Sequence, residues 1–126
     1  MNKIAVIIVF IFCGIMFAHG PSAFEVDFNP ENMELTIKVT HDVKNPKSHY
    51  IDKIEIERDS EVIILQVFKV QSDEKVQLAK YIITDAYVGM ELKIIASCNK
   101  IGKKSFKFIV DEQMMNNKPS AKGTEE

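Results

Sequence analysis

Two histidines and one cysteine, His41, His49 and Cys98, are the residues of this 126-residue chain best suited to chemistry. Imidazole nitrogen and thiolate sulfur are donors that transition metals favour. A set of two nitrogens and one sulfur suits Fe(II), Zn(II) or copper, with exogenous ligands completing the shell. Each residue also has a plainer reading. His41 can be the last inward residue of a strand, His49 a hydrogen-bond partner of loop backbone, and Cys98 a small buried apolar side chain. Catalytic triads, phosphate-binding glycine loops, dinucleotide-binding glycine patterns and Cys-x-x-Cys pairs are all absent, so no other enzyme class is indicated. The third histidine, His19, falls in an N-terminal export segment and is set aside.

The elements that must position these side chains are strands. Met33, Leu35, Ile37, Val39 and His41 share one face of a two-residue alternation, with Glu34, Thr36, Lys38 and Thr40 on the other. A loop containing Asn45-Pro46 follows. The extended pattern resumes at His49 and slips phase near Asp52, as a β-bulge would make it do. Glu61 to Lys69 and Lys75 to Ile83 are further candidates. Met90 to Cys98 alternates with Leu92, Ile94, Ala96 and Cys98 together, and Ser105 to Val110 completes the set beyond a turn at Gly102. With Phe24 to Phe28 this predicts seven strands, and Phe68, Tyr81, Phe106 and Phe108 read as core. The fold class is all-β, an immunoglobulin-like seven-stranded antiparallel β-sandwich over residues 24–110, with an open barrel as the competitor. In such a sandwich the loops after the second and sixth strands lie at one end, so His41, His49 and Cys98 can converge.

The chain opens with Met-Asn-Lys and an apolar run from Ile4 to Phe17, the pattern of a secretory signal and too short for a comfortable membrane span. Residues 1–23 are expected to be a signal-peptide helix cut after Gly20 or Ala23, so the product is periplasmic or secreted. Cys13 leaves with it, and Cys98 remains as a lone thiol outside any internal disulfide framework. Roughly 100 residues are left, enough for one domain with its own core. The net charge of −2 becomes more negative by the loss of Lys3, which argues against nucleic acid as a partner. Residues 111–126 are polar and read as a flexible tail.

The segment His49-Tyr50-Ile51-Asp52-Lys53-Ile54-Glu55 resembles the His-Tyr-Ile segment of superoxide reductases and of the iron-binding domain of desulfoferrodoxins. Ser97-Cys98-Asn99-Lys100-Ile101-Gly102 resembles their Cys-Asn turn. The likeness runs from about Met33 to Val110, with both motifs in the family's order. It implies a mononuclear non-heme iron held by four histidines and an axial cysteine thiolate, with an open position for superoxide. His49 and Cys98 carry over directly. The histidine expected three residues after the cysteine is Ile101, and no histidine lies between Phe24 and Asn32, ahead of the first core strand. The histidine expected six residues before His49 is Val43, and His41 serves only if this loop is longer than the family's. The expected ligand set is therefore His49, Cys98 and His41, with Asp42 and Asp52 as candidate outer hydrogen-bond acceptors. Two missing imidazoles tell against catalytic superoxide reduction. The alternative is a non-catalytic envelope module that presents a sheet edge or its lysine-rich end to a protein partner. That end comprises Lys100, Lys103, Lys104 and Lys107 around the cysteine turn, with Lys44 and Lys47 in the neighbouring loop. It reads as a rim that attracts small anions, or as a solvated turn that keeps the sheet end unpaired.

Overall fold

The alternating segments form strands throughout the computed structural model, which describes residues 19–116. They are β1 (Ala23–Asn29), β2 (Glu34–Thr40), β3 (Ile51–Arg58), β4 (Glu61–Val67), β5 (Val76–Ile82), β6 (Glu91–Cys98) and β7 (Lys103–Ile109), followed by a short helix α1 (Glu112–Asn116). Every pairing is antiparallel, in one sheet ordered β1-β2-β5 and a second ordered β4-β3-β6-β7. Residues 1–18, which carry most of the expected signal segment, and residues 117–126 lie outside the described residues. Among the described residues no helix is long and apolar enough to cross a membrane.

One cluster of buried side chains joins the two sheets: Leu35, Ile37 and Val39 from β2, Ile54 and Ile56 from β3, Leu92, Ile94 and Ala96 from β6, and Phe108 from β7. These positions alternate with polar residues along β2 and β3, which is how one face of a sheet is buried while the other meets water. Phe68 and Tyr81 are partly buried against the cluster, whereas Phe106 is exposed at the surface and stacks on Phe24. The phase slip near Asp52 is a register shift between Ile51 and Lys53 in the β3–β6 ladder. Asp59 and Ser60 close the β3–β4 hairpin with φ of 52° and 66°, the left-handed pair that a tight two-residue turn needs.

Register decides which ends meet. Ala23 of β1 and Val76 of β5 both pair with Thr40, the last residue of β2. Ile51 at the start of β3 pairs with Cys98 at the end of β6, and Ser97 pairs with Lys103 at the start of β7. Within each sheet, therefore, the chain entering β1, the exit of β2 and the loop before β5 fall together, as do the entry to β3 and the β6–β7 turn.

The domain is longer at both ends than its alternation predicts. Before β1, the Ser22 amide donates to the Thr40 carbonyl at 2.8 Å, Lys104 Nζ donates to the Ser22 carbonyl at 2.7 Å, and Pro21 is buried. After β7, residues read in sequence as part of a polar tail form α1. Its start is capped by the Asp111 carboxylate, which accepts from the Met114 amide at 2.8 Å, and Met114 and Met115 pack against the core. Two methionines give this five-residue helix a reason to dock.

Candidate metal centre

His41 follows β2 directly and, on the inward face, is fully buried. His49 stands two residues before β3, and Cys98 is the last residue of β6, also inward and buried. The Ile51–Cys98 pairing brings the last two together, with His49 Nε2 3.1 Å from Cys98 Sγ. The His41 and His49 rings meet edge to face, with centroids 4.8 Å apart.

The sequence reading set His19 aside, yet the fold brings it to the same point. Its ring lies 5.5 Å from that of His41 and 5.7 Å from that of His49, centroid to centroid. His19, His41 and His49 each offer a ring nitrogen, and these nitrogens lie within 4.8 Å of one another, so the three could hold a metal ion. A histidine ahead of the first core strand is thus present, four residues before β1 rather than between Phe24 and Asn32. It is held by a close backbone crossing. A Cβ on Gly102 would stand 2.8 Å from Gly20 Cα, so that position requires glycine, and one on Gly20 would stand a tight 3.1 Å from the Gly102 backbone. Gly102 also has φ of 100° in the turn after Cys98, where a side chain is strained in any case. The contact that seats His19 therefore rests on the same turn that presents the sulfur.

Gln71, in the loop before β5, organises the buried side of the site. Its Oε1 accepts from His41 Nδ1 at 2.8 Å and from the Ile51 amide at 3.1 Å, and its Nε2 donates to the carbonyls of His41 at 2.7 Å and Asp73 at 2.9 Å. With both amide hydrogens committed to carbonyls, Oε1 is fixed as the acceptor and His41 must carry its proton on Nδ1. Nε2 then projects a lone pair, and it faces the His19 carbonyl oxygen at 3.0 Å. Asp42 and Asp52 do not fill the outer role expected of them. Asp42 pairs with Lys75 at 2.8 Å on the surface, and Asp52 Oδ1 is buried without a partner.

Asn99 fastens the His49 loop to the cysteine turn. Its Oδ1 accepts from the Tyr50 amide at 2.9 Å and its Nδ2 donates to the Ser48 carbonyl at 3.0 Å, while its own amide donates to the Tyr50 carbonyl at 3.0 Å. On the far side of the turn the Lys100 amide donates to Cys98 Sγ at 3.4 Å. Imidazole and thiol are thus held by backbone-anchored contacts on both of their chain segments.

The His49–Cys98 pair has the donor spacing of two ligands on one metal with ordinary bond lengths. Bonds of about 2.1 Å to nitrogen and about 2.3 Å to sulfur place cis ligands at a right angle about 3.1 Å apart. That equals the separation of 3.1 Å between His49 Nε2 and Cys98 Sγ. The three histidine nitrogens lie within 4.8 Å of one another, and Cys98 Sγ adjoins the group through its 3.1 Å approach to His49 Nε2. His41 and Cys98 form the buried floor, while His19 is exposed and His49 half-buried, which leaves the site open to solvent on one side.

Burial holds the His49 imidazole below its usual range, and the neighbouring His41, His19 and Lys100 charges push the same way, with a hydrogen bond to the His19 backbone opposing them. His49 is accordingly neutral at neutral pH, the state that binds metal. Of the expected lysine rim, Lys100 is close enough to act on His49, and Lys104 is engaged with the Ser22 carbonyl. Lys44, Lys47 and Lys103 are exposed, and Lys107 pairs instead with Glu91 at 3.1 Å. Ile101 is 65 % exposed and brings no donor.

Sequence reasoning missed His19 because it lies just past an apolar run that reads as a leader, and missed Gln71 because a lone loop glutamine has no signature. The one available signal was His19-Gly20-Pro21 immediately ahead of β1, a histidine followed by a glycine that the later Gly102 could match. Compared with known proteins, the chain matches no family model, no curated protein and no solved structure, so the chemistry of this centre rests on its own residues.

Proposed function

We propose that this domain is an exported, superoxide-reductase-like module that holds one non-heme iron at His19, His41, His49 and Cys98. The observation that carries the reading is convergence: three imidazoles and a sulfur from three separate chain segments, the lead into β1, the β2–β3 connection and the end of β6, come together, with 3.1 Å between His49 Nε2 and Cys98 Sγ. The two sheets, β1-β2-β5 and β4-β3-β6-β7, support the immunoglobulin-like sandwich expected from the seven strands.

An iron bound there would supply one electron to a small oxygen anion such as superoxide, which with two protons from solvent gives hydrogen peroxide. The chain's own residues supply the rest. Cys98 would donate sulfur electron density, His19, His41 and His49 would contribute three of the family's four imidazoles, and Gln71 would hold His41 in its binding tautomer. The exposed Ile101 leaves the fourth imidazole position without a protein donor, and Lys100 gives the open side a positive charge that draws small anions inward.

The test is anaerobic reconstitution of the purified protein with Fe(II), followed by oxidation. One iron per chain and a thiolate-to-iron charge-transfer band are expected, and Cys98→Ser should abolish the band while the far-ultraviolet spectrum stays that of the folded sandwich. A colourless protein without stoichiometric metal refutes the proposal.

A second reading has its own observation. Edge strand β4 exposes Val62, Ile63, Leu65 and Val67, four apolar side chains beside an unpaired backbone edge, which suits a partner strand from an envelope protein. Under it, Cys98→Ala leaves folding nearly intact and Leu65→Lys abolishes partner capture.

A further inference from the structure

The segment His19–Ser22 behaves as part of the domain, not as part of a leader. It contributes the Gly20–Gly102 crossing, the Ser22–Thr40 and Lys104–Ser22 hydrogen bonds, the buried Pro21 and one imidazole of the metal centre. A cut after Gly20 or after Ala23 would remove His19 and, with it, the carbonyl that faces His41 Nε2 at 3.0 Å. Ala18 stands immediately ahead, a small residue directly after the apolar run from Ile4 to Phe17.

We infer that the leader is cut between Ala18 and His19, so that His19 is the first residue of the mature protein and its free α-amino nitrogen becomes an additional metal ligand. The inference rests on the metal-centre reading above. Hydrolysis by a signal peptidase breaks the Ala18–His19 amide, with water supplying the hydroxyl of the new Ala18 carboxyl group and the hydrogen of the new amine. An α-amine and the Nδ1 of its own imidazole can grip one ion together, closing a six-membered ring within a single residue. A ligand pair preassembled on one residue raises affinity without ordering any further chain. It also replaces a nitrogen that Ile101 does not provide.

Two measurements test this. Intact-mass analysis of the protein recovered from the cells that encode it should give a chain that starts at His19. A start at Pro21 or Phe24, or a chain retaining residues 1–18, overturns the inference. Next, Co(II) affinity is compared by chelator competition for two preparations released from a cleavable fusion, one starting at His19 and one starting at Ala18. The single added residue acylates the amine and leaves every side chain in place. The Ala18 version should bind Co(II) at least about tenfold more weakly. Equal, measurable affinities overturn the inference alone, whereas no Co(II) binding by either preparation overturns the metal reading as well.

Discussion

Replacing Gln71 with leucine removes a side chain that ties His41 to the start of β3 and to the loop before β5. Gln71 is 3 % exposed and makes four hydrogen bonds, to His41 Nδ1, the Ile51 amide, and the His41 and Asp73 carbonyls. The Asp73 carbonyl belongs to an exposed residue and can turn to water, but His41 and Ile51 are fully buried and cannot. Three buried polar groups are therefore left unmade at about 1–3 kcal/mol each, and some relief from the added apolar contact brings the expected loss to about 3–5 kcal/mol. For a domain of this size 3 kcal/mol lowers the melting temperature by about 12–24 °C, a large part of a total stability of about 5–15 kcal/mol. Urea unfolding of the metal-free protein reads the stability. Chelator competition with Co(II) below the unfolding range reads the site, where loss of the outer partner of a ligating imidazole should weaken binding about 10–100-fold. Asp42→Ala, which breaks only the exposed pair with Lys75, is the control and should change stability by less than about 0.5 kcal/mol. A Gln71→Leu protein that loses under about 1 kcal/mol, or that binds Co(II) within twofold of the parent, would refute the role assigned to this residue.

Gly102→Ala should destabilise the domain by more than about 1 kcal/mol in urea titrations and raise the Co(II) dissociation constant, because the new Cβ lies 2.8 Å from Gly20 Cα at a φ of 100°; an unchanged midpoint would show that the Gly20 crossing is dispensable. Ile54→Ala, at a fully buried position between the sheets, should cost about 2–5 kcal/mol in the same assay without altering metal stoichiometry. Burial pushes the Tyr81 phenol up to about 12, while its hydroxyl donates to Gln66 Oε1 at 2.6 Å. The unfolded chain ionises this tyrosine near pH 10 and the folded chain does not, so the native state binds the extra proton and stability falls as pH rises from about 10 towards 12. An absorbance titration of tyrosinate should show a late-ionising step, and Tyr81→Phe should remove both that step and part of the alkaline loss.

The strands were legible because a half-buried strand writes its own period. Leu35, Ile37, Val39 and His41 announce an inward face in any context, and Ala96 and Cys98 do the same for β6. From that alternation alone His41 and Cys98 are directed into the core, and the phase slip at Asp52 marks the bulge that the β3–β6 ladder contains. The short helix at Glu112–Asn116 was not legible, since five residues carry too little periodicity to separate a docked turn from a polar tail.

The amino-acid sequence by itself determined the seven strands, the inward direction of His41 and Cys98, and the placing of His49 beside the start of β3. Only tertiary structure decided that His19 joins them and that Gln71 fixes the His41 tautomer. The physical reason is range. Side-chain direction along a strand follows from neighbours two residues away, whereas the meeting of Gly20 with Gly102, and of His41 with Gln71, depends on sheet register and on backbone approaches across most of the chain.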